Sequence, residues 1–272
     1  MSFTLTRTET LSSEELRERL ASDPRQAART ILGAARDGMT EAQTLLGQIL
    51  LDGQGIEQDA ALARTWFQIA AERGDAMARN MLGRCLEQGW GGSIDLPGAV
   101  TQFRTAAAAG LDWGMYNYAG LLATGRGVQR DQRQALALYL RAAQLGHAKS
   151  MNLVGRYYEE GITVEADPEV AFTWYRRSAE AGDFRGQFSL AAVLAAQGEV
   201  DEALLWLGRA LAGGNLNFLR ASRASLTKAP EPRIQALALS YYQRAAELGD
   251  DSDGEALQNY LSQADGAPNG MA

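Results

Sequence analysis

The chain has a single cysteine, Cys85, a single histidine, His147, and only two lysines, Lys149 and Lys228, among 272 residues. One thiol excludes an intrachain disulfide and any cluster of thiolate metal ligands. One imidazole leaves no histidine pair for a metal, and no Walker-type phosphate loop or Gly-x-Ser-x-Gly nucleophile turn is present. The glycines at 89, 91 and 92 fall in a loop between helical patterns and follow no strand. The expectation is a protein without catalytic residues, metal or cofactor. No run of 18 apolar residues occurs, so nothing in the sequence spans a bilayer as a helix. Met1–Thr10 carries one arginine and no continuous apolar stretch, unlike a secretory signal, and a cytoplasmic location with no membrane partner is expected. The formal net charge of -7 repels phosphate backbones, which argues against nucleic acid as a partner.

What the chain does contain is a period. Asp59, Asp95, Asp131 and Asp167 recur every 36 residues. In phase behind them come Ala63, Ala99, Ala135 and Ala171, then Phe67, Phe103, Tyr139 and Tyr175, then Ala71, Ala107, Ala143 and Ala179, and finally Gly74, Gly110, Gly146 and Gly182. A repeat of this length signals stacked supersecondary units. Each set reads as one helix: Asp caps the N-terminus, Pro97 and Pro168 sit in the first turn, and Gly ends the helix. Ala, aromatic and Ala at spacings of four line one face, where the small residues permit close approach and the ring fills the space beside them.

Nine residues after each terminal glycine stands another small residue, Gly83, Ala119, Gly155 or Ala191, with Gly47 in phase before them. These mark a second helical stretch, apolar at Leu46, Leu82, Tyr118, Val154 and Leu190. The stretches 53–56 (Gly-Gln-Gly-Ile) and 125–128 (Gly-Arg-Gly-Val) read as turns joining the two helices, each with an apolar plug. Every unit is therefore a helix hairpin, and the fold class is all-α with no sheet.

The segments Ala42–Gly47, the Gly-x-Gly-Ile turn and Trp66–Gly74 resemble a Sel-1-like repeat, a relative of the tetratricopeptide repeat with a longer loop between its helices. The resemblance implies an α-α superhelix, a right-handed solenoid of such hairpins. Six units are expected, at about 39–75, 76–111, 112–147, 148–183, 184–215 and 216–250. The fifth shortens to a plain tetratricopeptide-like hairpin, with 197–200 (Gln-Gly-Glu-Val) in place of the glycine loop. The first helix of the sixth, around Asn217–Leu226, lacks the usual small residue. Capping helices are expected near 12–20 and 24–37 and over 254–264, with residues 1–11 and 265–272 frayed.

By the same resemblance, the first helices turn toward a concave face the residues three before, one after and four after the small one. These are Asn80, Arg84 and Glu87 in the second unit and Asn152, Arg156 and Glu159 in the fourth, with Tyr116, Gly120 and Ala123 between them. The first and fifth units present Thr44, Gln48 and Leu51, and Phe188, Ala192 and Ala195. The resemblance implies a non-catalytic interaction scaffold or adaptor that takes a protein or peptide segment, and the recurring arginines point to a segment bearing a carboxylate. The partner-binding candidates are Asn80, Arg84, Glu87, Tyr116, Asn152, Arg156 and Glu159. On the alternative reading, Arg84 and Arg156 only pair with Glu87 and Glu159 three residues on, on a solvated surface. A small-molecule-binding or hydrolytic protein and a self-associating structural subunit are the other functional readings.

His147 stands where other units have Asp75, Leu111 and Asp183, in the turn before a first helix, so a structural role is expected. Cys85 occupies a position held by Ile49, Leu121 and Tyr157 elsewhere, which makes it a small buried apolar residue rather than a reactive thiol. Trp66, Trp174 and Trp206 precede the aromatic position of their helices and read as packing residues. Trp90, in a glycine loop, and Trp113, at a helix start, are candidate recognition anchors.

Overall fold

A computed structural model of the chain describes residues 22–265, together with Glu18. The helix expected near 12–20 and the frayed ends lie outside those residues apart from Glu18 and Asp265. Among the described residues the chain forms fourteen helices and no strand. It divides into two compact units, one ending at Leu138 and one beginning at Tyr139.

The first unit holds α1 (Pro24–Arg36), α2 (Thr40–Asp52), α3 (Ala60–Glu72), α4 (Ala76–Gln88), α5 (Leu96–Ala108), α6 (Asp112–Thr124) and the beginning of α7 (Gln132–Gln144). Each helix packs on the next from α1 to α6, and α4 also lies against α6. The second unit continues with α8 (Ala148–Glu160), α9 (Pro168–Glu180), α10 (Phe184–Ala196), α11 (Val200–Gly213), α12 (Leu216–Thr227), α13 (Pro232–Leu248) and α14 (Asp251–Asp265). Here α8 packs on α9 and α10, α10 on α9 and α11, and α13 on α11, α12 and α14.

The caps form where the aspartates predict them. The carboxylates of Asp59, Asp95, Asp131 and Asp167 accept from the backbone N–H three residues on, at 2.9, 2.9, 2.9 and 3.0 Å. Such a cap satisfies an amide that the helix itself leaves without a partner and is worth about 1 kcal/mol. His147 takes over the same task for α8: its Nδ1 accepts from Ser150 N at 3.2 Å, as the carboxylates of Asp75 and Asp183 do for Ala78 and Gly186. The lone histidine is thus a buried N-cap, and its ring also contacts Ser150 Oγ at 2.9 Å.

In three of the hairpins the small residue of the first helix faces the aromatic ring of the second. A Cβ placed on Gly47 would lie 2.6 Å from Phe67, one on Gly83 2.7 Å from Phe103, and one on Gly155 2.5 Å from Tyr175. All three rings are at most 1% exposed, so they have nowhere to retreat. At these three positions a Cβ would force the ring to shift, so glycine fits the ring where it stands. In the fifth unit the corresponding residues are Ala191 and Leu207, both buried in one apolar cluster.

One backbone feature breaks the pattern. In the loops between paired helices, Gly55, Gly91 and Gly127 adopt φ of +74°, +70° and +70°. At the equivalent place in the fourth unit, Thr163 does so at φ +64°, and it is the only non-glycine residue with positive φ among the described residues.

Candidate functional site

In the first compact unit, Arg84 and Glu87 on α4 do not form the internal ion pair that their spacing allows. Asn80 is buried, and its Oδ1 accepts from Asn117 Nδ2 at 2.8 Å, joining α4 to α6. Glu87 accepts from Arg126 Nη1 at 2.8 Å, a partner supplied by the glycine loop after α6. Arg84 is left without a carboxylate among the described residues. Its guanidinium lies 4.8 Å from the centre of the Trp90 ring instead, and Nη1 stands 4.0 Å from Met81 Sδ.

Sequence reasoning treated Arg84 and Trp90 as separate candidates, and the structure brings them together. Helix α4 is capped by Gly89, whose left-handed φ of +74° lets its N–H donate back to the Cys85 carbonyl. Gly91 then sits so close to the start of α3 that a Cβ would overlap Ala60 and Ala61, which fixes the loop and Trp90 with it. The signal was present in the sequence as a glycine C-cap directly before a tryptophan. Beside this pair, Glu41, Thr44, Leu45, Gln48, Asp75, Met77 and Met81 line an open groove of about 350 Å³ between α2 and α4, where the Asp75 carboxylate is engaged as the cap of Ala78. Tyr116 is half-buried on α6, edge-on to Trp113 at 6.1 Å, and Trp113 is itself 37% exposed.

In the second unit the same letters meet different neighbours. Asn152 is buried on α8, and its Oδ1 has no hydrogen-bond partner among the described residues. Arg156 pairs with Glu160 one turn on, at 3.0 Å, and not with Glu159. Glu159 accepts from the Tyr175 hydroxyl at 2.6 Å. Burial, reinforced by that carboxylate, pushes the Tyr175 phenol well above its usual range. Both predicted i,i+3 pairings are therefore replaced, since partners from other helices, the loop or the next residue are better placed.

Cys85 is fully buried, and burial pushes its thiol up to about 11. Trp66 and Trp174 are half-buried and Trp206 is buried, in keeping with packing. Among the described residues, no group of three His, Cys, Asp or Glu side chains is placed to hold a metal ion, and no helix is long and apolar enough to cross a membrane.

Several solved structures are similar to this chain. A Sel1 repeat protein from Oxalobacter formigenes is 25% identical, over 89% of this chain and 99% of that one, with a TM-score of 0.70. A protective antigen from uropathogenic Escherichia coli strains, displaying an SLR fold, is 26% identical over 89% of this chain with a TM-score of 0.63. The match covers 53% of the antigen, so the chain spans about half its length. An immunity protein from Pseudomonas aeruginosa is 16% identical, over 86% of this chain and 84% of that one, with a TM-score of 0.53, and shares the fold alone. No curated protein matches the sequence. The fold class is the all-α helical-repeat superhelix. The Sel1 repeat model matches residues 40–75, 76–111, 114–147, 148–183 and 235–250, more than half of the sequence, and the chain belongs to the Sel1 repeat family.

Proposed function

We propose that the protein is a non-catalytic interaction scaffold that binds a partner segment bearing a carboxylate on its first-helix surface. The observation that carries this reading is Arg84, an exposed guanidinium stacked on a half-buried tryptophan and lacking a carboxylate partner among the described residues. A stacked guanidinium keeps its edge N–H groups available and loses little freedom on forming a bidentate bond to a carboxylate. Met77 and Met81 are the adaptable apolar part of the adjoining groove, which Glu41 and Asp75 also line. Tyr116 belongs to the same surface. Asn80 and Glu87 act from beneath it, holding α4 to α6 and to the loop after it.

In the second unit, Arg156 is the corresponding anchor, released from Glu160 on binding. That exposed pair is worth only about 0.3–0.5 kcal/mol, so the exchange costs little. Glu159 and Asn152 support α8 rather than touch the partner.

The test uses the full chain as bait in an extract of its own source cells, followed by affinity measurement with the recovered partner. Arg84→Ala and Arg156→Ala are compared singly and together, with Trp90→Ala beside them. Loss of Arg84 is expected to weaken binding by about thirtyfold, roughly 2 kcal/mol, with the melting temperature unchanged. Undiminished affinity with both arginines and Trp90 replaced overturns the reading.

A further inference from the structure

The second compact unit contains a cavity of about 350 Å³ that none of Arg84, Trp90 and Arg156 lines. Its wall is formed by Phe188, Ala192 and Ala195 on α10, with Leu226 from α12 and Ile234 from α13. Ala191 and Leu207 also line it, and they are the pair in which the fifth unit departs from the repeat. Elsewhere an aromatic ring fills the space over the small residue; here leucine stands in place of the ring, and volume is left open beside it.

The charge on the wall is as telling as its shape. Two ionisable residues line the cavity, Lys228 and Glu231, both in the connection between α12 and α13. The Glu231 carboxylate is turned onto its own helix and accepts from Arg233 N at 3.3 Å at the start of α13. Lys228, one of two lysines in the sequence, makes no ion pair among the described residues. The Glu231 charge lies against the N-terminus of α13, which favours an anion, so the unpaired Lys228 is the lining group left to meet an anionic end, and the cavity matches a ligand with an apolar body and a single negative end. Its volume lies within the range of small-ligand sites, which are mostly apolar with few polar groups fixing orientation.

We infer that this cavity is a binding site for a small amphiphilic monocarboxylate, its aliphatic body against Phe188, Ala192 and Leu207 and its carboxylate on Lys228. The site is independent of Arg84 and Trp90, and its test needs only the purified full chain, so its failure leaves the scaffold reading untouched.

The probes are decanoate, with a chain of about ten carbons suited to the cavity, and the neutral decanol, each titrated by calorimetry below its self-association limit. Decanoate is expected to bind saturably at one site. Lys228→Gln should weaken decanoate about tenfold while leaving decanol unchanged, because only the charge-assisted bond is lost. Ala192→Phe, which fills the cavity, should abolish binding of both. Ala195→Leu serves the same purpose, and circular dichroism identifies which filled variant retains the native fold. Absence of saturable decanoate binding to the native chain overturns the inference, as does a Lys228→Gln or filled variant that binds decanoate as the native chain does.

Discussion

The contact between Gly83 and Phe103 can be tested as a coupled pair. A methyl group at position 83 would stand 2.7 Å from two ring carbons of a side chain that is fully buried. Overpacking of this kind costs about 1–3 kcal/mol. Alanine is a better helix residue than glycine by roughly 0.5–1 kcal/mol, which partly offsets it. Gly83→Ala alone should therefore destabilise by on the order of 1 kcal/mol, lowering the melting temperature by about 2–4 °C. The decisive quantity is the coupling. Leucine is smaller than phenylalanine, and the fifth unit already sets Ala191 and Leu207 in one buried cluster, so Phe103→Leu should make room for the alanine. The propensity gain is identical in both backgrounds and cancels from a double-mutant cycle. Urea unfolding of the native chain, the two single variants and the double variant should yield a coupling of about 1–2 kcal/mol in favour of the double replacement. Additivity within about 0.5 kcal/mol would refute the argument that the ring sets the size limit at position 83.

Three further outcomes follow from other parts of the structure. Thr163→Gly removes the cost of a side chain in left-handed backbone, about 1–2 kcal/mol, against a glycine entropy penalty of roughly 0.5–1 kcal/mol; the melting temperature should rise by about 1–3 °C, and a fall would refute the strain. Cys85, with its thiol pushed up to about 11 by burial, should react with a disulfide reagent at pH 8 only as the protein opens, and rapid labelling of the native chain would contradict that burial. On α14, Asp253 is bound by Arg220 and Arg223, and the hydrogen bonds from Arg220 above all hold its carboxyl down to about 2. The folded value lies below the unfolded value of about 3.9, so the stabilisation is present above that pH and lost as pH falls toward 2. The gap in melting temperature between the native chain and Asp253→Asn should accordingly close between pH 5 and pH 2, and a constant gap would refute the assignment.

Features decided within one turn of chain were legible in the sequence. An aspartate three residues before a free amide caps it whatever surrounds it, and a glycine ends a helix by its own backbone freedom. The small residue and its ring were legible for another reason: twenty residues separate Gly47 from Phe67, and the same interval separates Gly83 from Phe103 and Gly155 from Tyr175. The partners of the charged candidates were not legible. Helix spacing offers Glu87 to Arg84, but Arg126 reaches Glu87 from 39 residues away, and Tyr175 reaches Glu159 from 16. A spacing rule identifies which groups can meet along one helix; it says nothing about a competitor brought in by the next one.

The same limit explains why equal letters at equivalent positions are not equal sites. Asn80 has Asn117 to satisfy it, 37 residues on; the residue 37 after Asn152 is Ser189, whose shorter side chain makes no hydrogen bond to Asn152 among the described residues. The repeat thus fixes the frame, because the cap, the small residue and the ring must recur for the hairpins to stack. What distinguishes one unit from another arises where it departs from the period. Trp90 enters through a loop whose counterparts at 54 and 126 are Gln and Arg, and the Lys228 cavity opens where Leu207 replaces a ring. In a protein of this kind, residues that keep the period maintain the stack, and recognition chemistry is to be sought at the residues that break it.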